Sequence, residues 1–412
     1  MSIIRGMIHP SDRATNFHYA IRNVVQAAEA FERQGRKITY LNIGDPQAFG
    51  FRPPPDVMEA VAIATREKFT GYSHSAGLRE AREAIARYAT ALGTETSPDN
   101  TLITSGASEA ADLVLTALVN PGDEVLLPAP SYPIYPAIIN KLGAITRYYH
   151  LDQETNWQPS VDEVSSLINE RTRAIILINP SNPTGAITSD ATTKSLLELA
   201  ARHNLLVISD EVYRDLCFKE PPTSASVLAA DSDAAVVVLE SLSKTHMLAG
   251  WRVGWMRFNR TPQTRDLVAA VIRLAGGRLC SSTLAQYAIQ PALEGDRQSI
   301  KKFTEEIRRR RDLATKRVAA IDGLSCSVPE AAFYLMIHVA DMGGRTDEQF
   351  VLDLIKSANV LVVHGSGFGC DPQAGYFRMV YLADEQTLAK AFDGIESSLR
   401  ASQKGTKSTN AA

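Results

Sequence analysis

With 412 residues, 45% of them hydrophobic and 22% charged, the chain has an ordinary globular composition and enough length for one large and one smaller domain. The 43 Lys and Arg nearly balance the 46 Asp and Glu, so a nucleic-acid or anionic-membrane partner is not expected. The apolar runs are only as long as strands, so no membrane span is expected, and the N-terminus lacks a signal peptide's apolar core. The four cysteines form no CxxC pair. Together these features predict a cytoplasmic protein with free thiols. The eight histidines are scattered without metal-ligand spacing, so no metal is expected.

The first 50 residues are predicted to form an N-terminal arm and part of the smaller domain. Apolar residues at helical spacing predict a helix from Tyr19 to Gly35, and a glycine suits its end. The segment ITYLNIGDP then reads as a short strand that ends in a turn. Residues 53–56 begin a second helix, and a third helix follows the loop GYSHSAGL.

From Thr101 onward, strands and helices alternate regularly. The predicted strands are rich in Val, Ile and Leu, and they are TLITSG, EVLLPAP, ITRYYHL, RAIILINP, LLVISDE and AAVVVLES. Helical stretches such as SEAADLVLTAL and TKSLLELAARH separate most of them. This alternation predicts an α/β fold, with a mostly parallel sheet covered by helices on both faces, in a large domain spanning residues 51–295.

After residue 296 a different mixture of strands and helices predicts a small α+β domain over residues 296–400. Its first helix carries four consecutive arginines, Arg308 to Arg311, which are interpreted as a solvated helix face. The segment HGSGFGC does not have the GxGxxG spacing of a dinucleotide-binding turn. Residues 401–412 are predicted to be a disordered tail.

Three polar side chains follow three successive predicted strands. They are Asn182 in INPSNPTG, Asp210 in ISDEVY and Lys244 in LESLSK, and each interval is about one βαβ unit. Right-handed crossovers bring the carboxyl ends of parallel strands to one edge of the sheet, so an amide, a carboxylate and an amine are expected to converge there. A lysine in such a crevice is partly desolvated, which lowers its pKa and frees the amine for covalent chemistry.

The residues around Lys244 also predict a phosphate site. Ser241, Ser243 and Arg252 can bind a phosphate, the arginine as a two-pronged donor. The segment TSGASEA at 104–110 follows a strand and opens a helix, so its backbone N–H groups point towards the same kind of ligand.

The polar residues at the other strand ends suit a pyridine ring. A carboxylate such as Asp210 keeps a ring nitrogen protonated, and Asn182 and Tyr213 can hydrogen-bond the ring's phenolic oxygen. Tyr132, in PSYPIY at the end of another strand, can stack on the ring. Each group taken alone has an ordinary structural interpretation, such as a loop carboxylate or a core tyrosine, and it is their convergence that favours a binding site.

In combination, these motifs resemble those of the pyridoxal-phosphate-dependent aminotransferases of class I and II, from about Tyr19 to Leu399. The resemblance implies fold type I, with a seven-stranded type of sheet in the large domain. SLSKTHMLAGWRVGW resembles the family's lysine segment, which implies that Lys244 binds pyridoxal 5′-phosphate covalently and transfers protons. Asp210 and Tyr213 are the other implied catalytic residues.

The resemblance also implies the remaining site residues. The implied cofactor-binding residues are Gly106, Ala107, Ser108, Tyr132, Asn182, Asp210, Tyr213, Ser241, Ser243, Lys244 and Arg252. Tyr72, in GYSHSAGLRE, is implied to reach the phosphate of the other subunit, so a homodimer with shared active sites is expected. The implied substrate-binding residues are Arg378 on the α-carboxylate, together with Gly44, Asn182, Tyr19 and Arg22.

Within the family, the chain is most similar to bacterial alanine aminotransferases. The segments that carry this likeness are LNIGDPQAFGF, RLCSSTLAQYAIQPAL and YAIR. They imply alanine and 2-oxoglutarate as substrates in a ping-pong reaction, with Arg22, or less favourably Arg278, recognising the second carboxylate. Three alternatives remain open: another amino donor (aspartate, aromatic or branched-chain), a carbon–sulfur lyase or oxidase of the same fold, and a cofactor-holding regulator without turnover.

Overall fold

The computed structural model describes residues 8–15, 23–230, 232–259 and 262–409. The helices are α1 Asp12–Thr15, α2 Asn23–Glu32, α3 Pro55–Glu67, α4 Arg79–Ala91, α5 Ala107–Leu118, α6 Ile134–Lys141, α7 Val161–Leu167, α8 Asp190–Arg202, α9 Ala225–Leu228, α10 Arg265–Gly276, α11 Thr283–Gln286, α12 Ile289–Glu294, α13 Gln298–Ala320, α14 Asp347–Ala358 and α15 Glu385–Thr409. The strands are β1 Thr39–Tyr40, β2 Thr101–Thr104, β3 Glu124–Ala129, β4 Ile145–His150, β5 Thr172–Ile178, β6 Leu206–Asp210, β7 Ala235–Ser241, β8 Gly254–Phe258, β9 Leu324–Ser325, β10 Tyr334–Val339, β11 Val360–Leu361, β12 Val363–His364 and β13 Tyr376–Val380.

The main sheet has seven strands in the order β2-β8-β7-β6-β5-β3-β4. Strands β3 to β7 pair in parallel, whereas β8 runs antiparallel to both β7 and β2. Apolar residues of α5, α6 and α10 pack on one face of the sheet, and those of α7, α8 and α9 pack on the other. The predicted α/β class and mostly parallel sheet are therefore confirmed, and β8 is a strand that the sequence analysis missed.

Neighbouring strands of this sheet end at one edge. Strands β5, β6 and β7 lie side by side, with Ile178 paired to Asp210 and Asp210 paired to Leu239. Because the three strands are parallel, the loops that carry Asn182 and Lys244 leave the sheet at the same edge as Asp210. This is the edge at which open α/β sheets bind their ligands.

A second, antiparallel sheet has the strand order β12-β13-β10-β9. Its apolar core combines residues of α13, α14 and α15 with residues of α2, so the N-terminal segment packs with the C-terminal part of the chain. Strand β1 pairs in parallel with β11, which ties residues 39–40 to the same region. The domain boundaries near residues 50 and 295 stay a prediction.

The last helix differs from the sequence-based expectation. A disordered tail was predicted from residue 401, whereas α15 continues to Thr409. The physical reason is that no proline interrupts the run after Glu385, so the helix extends past its amphipathic part. Within the described ranges, no helix combines the length and the apolar character that a membrane span requires.

Candidate active site

A cavity opens where β5, β6 and β7 end, and with its mouth it holds about 680 Å³. Ten of the residues predicted for the site line it together, and they are Ala107, Ser108, Tyr132, Asn182, Asp210, Tyr213, Ser241, Ser243, Lys244 and Arg252. Tyr135 and Tyr334 complete the polar part of its wall. Residues far apart in sequence thus meet around one space of the size expected for a small-molecule ligand.

Lys244 follows β7 and extends into this cavity. Its Nζ donates a hydrogen bond to the backbone oxygen of Gly44 at 2.6 Å. Burial disfavours the charged ammonium and lowers the pKa of Lys244 to about 8, with Arg378 and Arg252 adding to the effect. A substantial fraction of the amine is therefore neutral, and hence nucleophilic, at mildly alkaline pH.

Asp210 ends β6 and is a buried carboxylate, with 7% of its surface exposed. Its Oδ2 accepts a hydrogen bond from the Tyr135 hydroxyl at 2.7 Å, and its Oδ1 accepts one from the Val212 backbone N–H at 3.2 Å. Burial raises the pKa of Asp210 while these two hydrogen bonds oppose the rise. Both donors are neutral, and Asp210 takes part in none of the ion pairs found between described residues. The carboxylate therefore suits a cationic ligand group in the cavity.

Tyr213 lies three residues after Asp210, in the loop that follows β6, and packs against aromatic side chains. Its hydroxyl hydrogen-bonds that of Tyr334 at 2.7 Å, and its ring meets the rings of Tyr334 and Phe333 edge to face. Burial raises the pKa of Tyr213 well above its usual value. The phenol is therefore neutral at physiological pH and can act as a hydrogen-bond donor.

The N-terminus of α5 and Arg252 form a positively polarised corner of the cavity. Gly106 precedes α5 with φ 79° and ψ 165°, a conformation reserved almost entirely for glycine. A Cβ atom on Gly106 would lie 2.4 Å from Arg252 Nη2, which itself donates to the Ser105 carbonyl at 3.1 Å. The corner therefore joins a charged fork to the N-terminus of a helix, which together suit a phosphate.

Arg378, on β13, is 2% exposed and is fixed from four sides. Its Nη1 donates to Asn182 Oδ1 at 3.1 Å, and its Nη2 donates to the Asn42 carbonyl. The guanidinium carbon also lies 4.6 Å from the ring centres of Tyr334 and Phe368. These contacts position a permanent cation beside Asn182, a residue of the cavity wall.

The remaining predicted site residues lie elsewhere. Tyr72 is 78% exposed and does not line the cavity of its own chain. Tyr19 and Arg22 lie outside the described residues. Arg278, the alternative partner for a second carboxylate, forms an ion pair with Glu109 at 2.6 Å and thus has a structural partner.

Three residues that shape the site were missed by the sequence analysis. Tyr135 donates to Asp210, Tyr334 contacts both Tyr213 and Arg378, and Phe368 packs on Arg378. For Tyr135 a signal was present, since it lies one helical turn after Tyr132 in PSYPIY. Tyr334 lies on β10 and Phe368 lies between β12 and β13, and only the packing of this region against loops at the edge of the main sheet brings them here.

Comparison with known proteins gives a consistent picture. The model of the family "aminotransferase class I and II" matches residues 36–395. The glutamate-pyruvate aminotransferase AlaA of Haemophilus influenzae is 35% identical over 92% of this chain and 95% of its own length. The alanine aminotransferase of Mycobacterium tuberculosis is 35% identical over 92% of this chain and 89% of its own length. A solved structure of an alanine aminotransferase from Pyrococcus furiosus superposes with a TM-score of 0.92 at 38% identity, covering 95% of this chain and all of that one. The chain belongs to the class I and II aminotransferase family.

Proposed function

We propose that the cavity binds pyridoxal 5′-phosphate and that the enzyme transfers amino groups with it. The observation that carries this proposal is a buried carboxylate without an ionic partner among the described residues, Asp210, in the same cavity as the desolvated amine of Lys244. A protonated pyridine nitrogen supplies the positive charge that Asp210 lacks. Arg252 and the N-terminus of α5 suit the phosphate.

When bound, pyridoxal phosphate supplies an aldehyde that reacts with amines and a protonated ring that withdraws electrons from Cα. The chain's own residues do the rest. Arg378 binds the α-carboxylate of the amino acid through its fork and so orients the Cα–H bond. Lys244 removes the Cα proton as a base and returns a proton as an acid. Asn182 and Tyr213, which line the cavity, would donate hydrogen bonds to the ring's phenolic oxygen and so stabilise negative charge there.

Covalent uptake of pyridoxal phosphate by the cofactor-free enzyme should depend on pH through Lys244. The neutral amine is the reactive form, and the pKa of Lys244 is lowered to about 8. We therefore expect the uptake rate, followed by visible absorbance, to rise with pH and to level off above about pH 8. A rate that keeps rising towards pH 10.5, the usual value for lysine, would contradict the burial of this amine.

The glycine before α5 should be required for cofactor affinity. In Gly106→Ala the backbone conformation of residue 106 costs about 1–3 kcal/mol, because a side chain disfavours it. The new methyl group also displaces the Arg252 guanidinium. We expect the dissociation constant of pyridoxal phosphate to rise at least about ten-fold, because a charge-assisted contact is weakened. Gly122→Ala is the matched control, since Gly122 also has positive φ (87°) but no heavy atom lies within 4 Å of its added Cβ. Equal affinities of the two variants would refute the phosphate site.

The Tyr135 hydroxyl should lower the pKa of Asp210. Tyr135→Phe removes a hydrogen bond that opposes the rise in the pKa of Asp210, so that pKa rises further. Because Asp210 acts when ionised, activity should be lost at a higher pH on the acid side, and kcat should fall about ten-fold, as for a hydrogen bond to a charged group. The control is Tyr149→Phe, which removes an equally buried hydroxyl that donates to the Ile176 carbonyl. An unchanged pH profile in Tyr135→Phe would contradict this role.

We further propose alanine and 2-oxoglutarate as the substrate pair. The support is that relatives at 35% identity are named glutamate-pyruvate and alanine aminotransferases, and that each of them is matched over most of its length. The test is keto-acid formation from each of the twenty amino acids with 2-oxoglutarate as acceptor. Alanine and glutamate are expected to have the highest kcat/KM values, and a preference for aspartate, aromatic or branched-chain donors would replace this assignment.

A homodimer with shared sites completes the proposal, with Tyr72 of each subunit reaching the phosphate of the other. The support is that Tyr72 is itself 78% exposed and that Phe69, three residues before it, is 63% exposed, as large hydrophobic side chains covered by a partner would be in a single chain. Mixing inactive Lys244→Ala with inactive Tyr72→Ala subunits should restore about a quarter of the wild-type activity, because half of the dimers are mixed and each of these holds one intact site. Failure of the mixture to regain any activity would contradict shared sites.

A further inference from the structure

A second, much smaller cavity lies directly behind the active site. It shares Val212 and Ser241 with the active-site cavity, and its other walls include Glu211, Arg214 and His246. About 20 Å³ of it is open to the centre of a water molecule. That volume holds one water, for which about 10–15 Å³ is sufficient.

Three side-chain atoms in the wall of this cavity have no hydrogen-bond partner among the described residues. They are Glu211 Oε2, Arg214 Nε and His246 Nδ1, and the three residues are only 4%, 6% and 2% exposed. Buried polar atoms in native proteins almost always have a partner, and ordered water is the usual one where protein atoms cannot reach. Arg214 Nε and Glu211 Oε2 are 3.9 Å apart, which is too far for a direct hydrogen bond and suits a bridge.

The hydrogen-bonding roles of the three atoms are fixed by their other contacts. Arg214 Nε–H is a donor, since a guanidinium has no acceptor. His246 Nε2 lies 2.8 Å from the Ala292 carbonyl, which only accepts, so Nε2 carries the proton and Nδ1 of the neutral ring is an acceptor.

Glu211 Oε2 is an acceptor as well. The other oxygen of this carboxylate, Oε1, accepts hydrogen bonds from the hydroxyls of Ser209 and Ser224 and from the Ala225 backbone N–H. Burial raises the pKa of Glu211, whereas the guanidinium groups of Arg214 and Arg257, each 3.9 Å from Oε2, oppose the rise. With three donors on Oε1 and two cations beside Oε2, we assign the carboxylate as ionised.

One donor and two acceptors match a single water molecule. The water accepts from Arg214 Nε–H and donates its two hydrogens to Glu211 Oε2 and His246 Nδ1, which satisfies all three atoms. The nearby arginines disfavour a cation in the same space, and Glu211, Asp215 and Glu240 disfavour an anion. A neutral ligand fits the mixed charge of the walls.

The position of these residues gives the water a role in the active site. Glu211 and Arg214 alternate along the chain with Asp210 and Tyr213, which face the active-site cavity. His246 lies two residues after Lys244. We propose that Glu211, Arg214 and His246 bind one internal water that joins the loop of Asp210 and Tyr213 to the loop of Lys244. Glu211, Arg214 and His246 are thus positioning residues. Their expected effect on kcat rests on the proposed function, whereas the presence of the water does not depend on it.

A crystal structure of the wild-type holoenzyme tests the water site directly. We expect one density peak within about 3.2 Å of Glu211 Oε2, Arg214 Nε and His246 Nδ1. No peak, or a peak coordinated as a metal ion, would overturn the proposal whatever the enzyme's reaction proves to be.

A pair of variants tests the positioning role. In His246→Asn the amide oxygen can occupy the place of Nδ1, so the peak and a kcat within about three-fold of wild type should be retained. In His246→Leu the acceptor is gone, and kcat should fall about ten-fold while KM for alanine changes less than about two-fold, because misplaced loops affect the chemical step. Equal kcat values for the two variants would overturn the positioning role. If His246→Leu does not fold, the wild-type peak and the kcat of His246→Asn decide.

Discussion

Replacing Lys244 by alanine is expected to abolish turnover and to leave the protein folded. The amine is the base and acid of the proposed proton transfer and the group that links the cofactor to the chain, so kcat should fall by at least about 10⁴-fold. Stability should be kept or improved, because burial of the ammonium lowers the pKa of Lys244 and therefore opposes folding of the protonated form. The measurements are kcat with alanine and 2-oxoglutarate, and the thermal midpoint of the cofactor-free protein.

The matched control for this variant is Lys194→Ala, which removes an exposed lysine from helix α8 that does not line the active-site cavity. It should leave both kcat and the thermal midpoint unchanged, since surface substitutions change stability little. Turnover of Lys244→Ala within about ten-fold of wild type would mean that another group transfers the proton. The mechanism proposed for this cavity would then be wrong.

Arg378→Ala is expected to have the second-largest effect, on every amino-acid substrate alike. Removing the buried guanidinium leaves the substrate carboxylate without its charged partner, and breaking such a pair is worth about 3–5 kcal/mol. We therefore expect kcat/KM for both alanine and glutamate to fall about 10²- to 4 × 10³-fold, at about 1.4 kcal/mol for each factor of ten. Arg378→Lys keeps the positive charge but loses the two-pronged geometry of the guanidinium, so its kcat/KM should lie between the values of the wild type and of Arg378→Ala.

Ethylamine, which is alanine without its carboxylate, distinguishes a carboxylate-binding role from damage to the fold. Wild-type enzyme should favour alanine over ethylamine strongly, and Arg378→Ala should lose most of that preference because the reactions of both amines then lack the clamp. The thermal midpoint measures a different effect, the loss of stability when the contacts to Asn182 and to the rings of Tyr334 and Phe368 are removed. An undiminished preference for alanine in the variant would mean that the carboxylate binds elsewhere.

The sequence predicted the edge of the sheet well because that part of the fold follows simple rules. Six strand segments were recognised from their apolar runs, and each became a strand of the main sheet. The spacing of Asn182, Asp210 and Lys244 matched successive βαβ units, whose right-handed crossovers bring strand ends together. The convergence of these three side chains on one cavity thus followed from topology.

What the sequence did not reveal depends on contacts between distant segments. Strand β8 is short, follows a residue in the left-handed region, Arg252, and turns back antiparallel, so it lacks the pattern of the parallel strands. Tyr334 and Phe368 reach the site only because the region of the second sheet packs against the loop that follows β6 and carries Tyr213, and no local pattern records that packing. Tyr19 and Arg22 lie outside the described residues, and their roles stay a prediction.

The most direct test of the account is a measurement of all products from alanine, with and without 2-oxoglutarate. Amino transfer by the cavity around Lys244 predicts continued pyruvate formation only in the presence of 2-oxoglutarate, with at most one pyruvate per active site without it. It also predicts one glutamate per pyruvate and no ammonia beyond that of a Lys244→Ala blank. Continued formation of pyruvate and ammonia without the acceptor, with dioxygen consumed as the oxidant, would instead identify an oxidase, and the proposed transfer between alanine and 2-oxoglutarate would be contradicted.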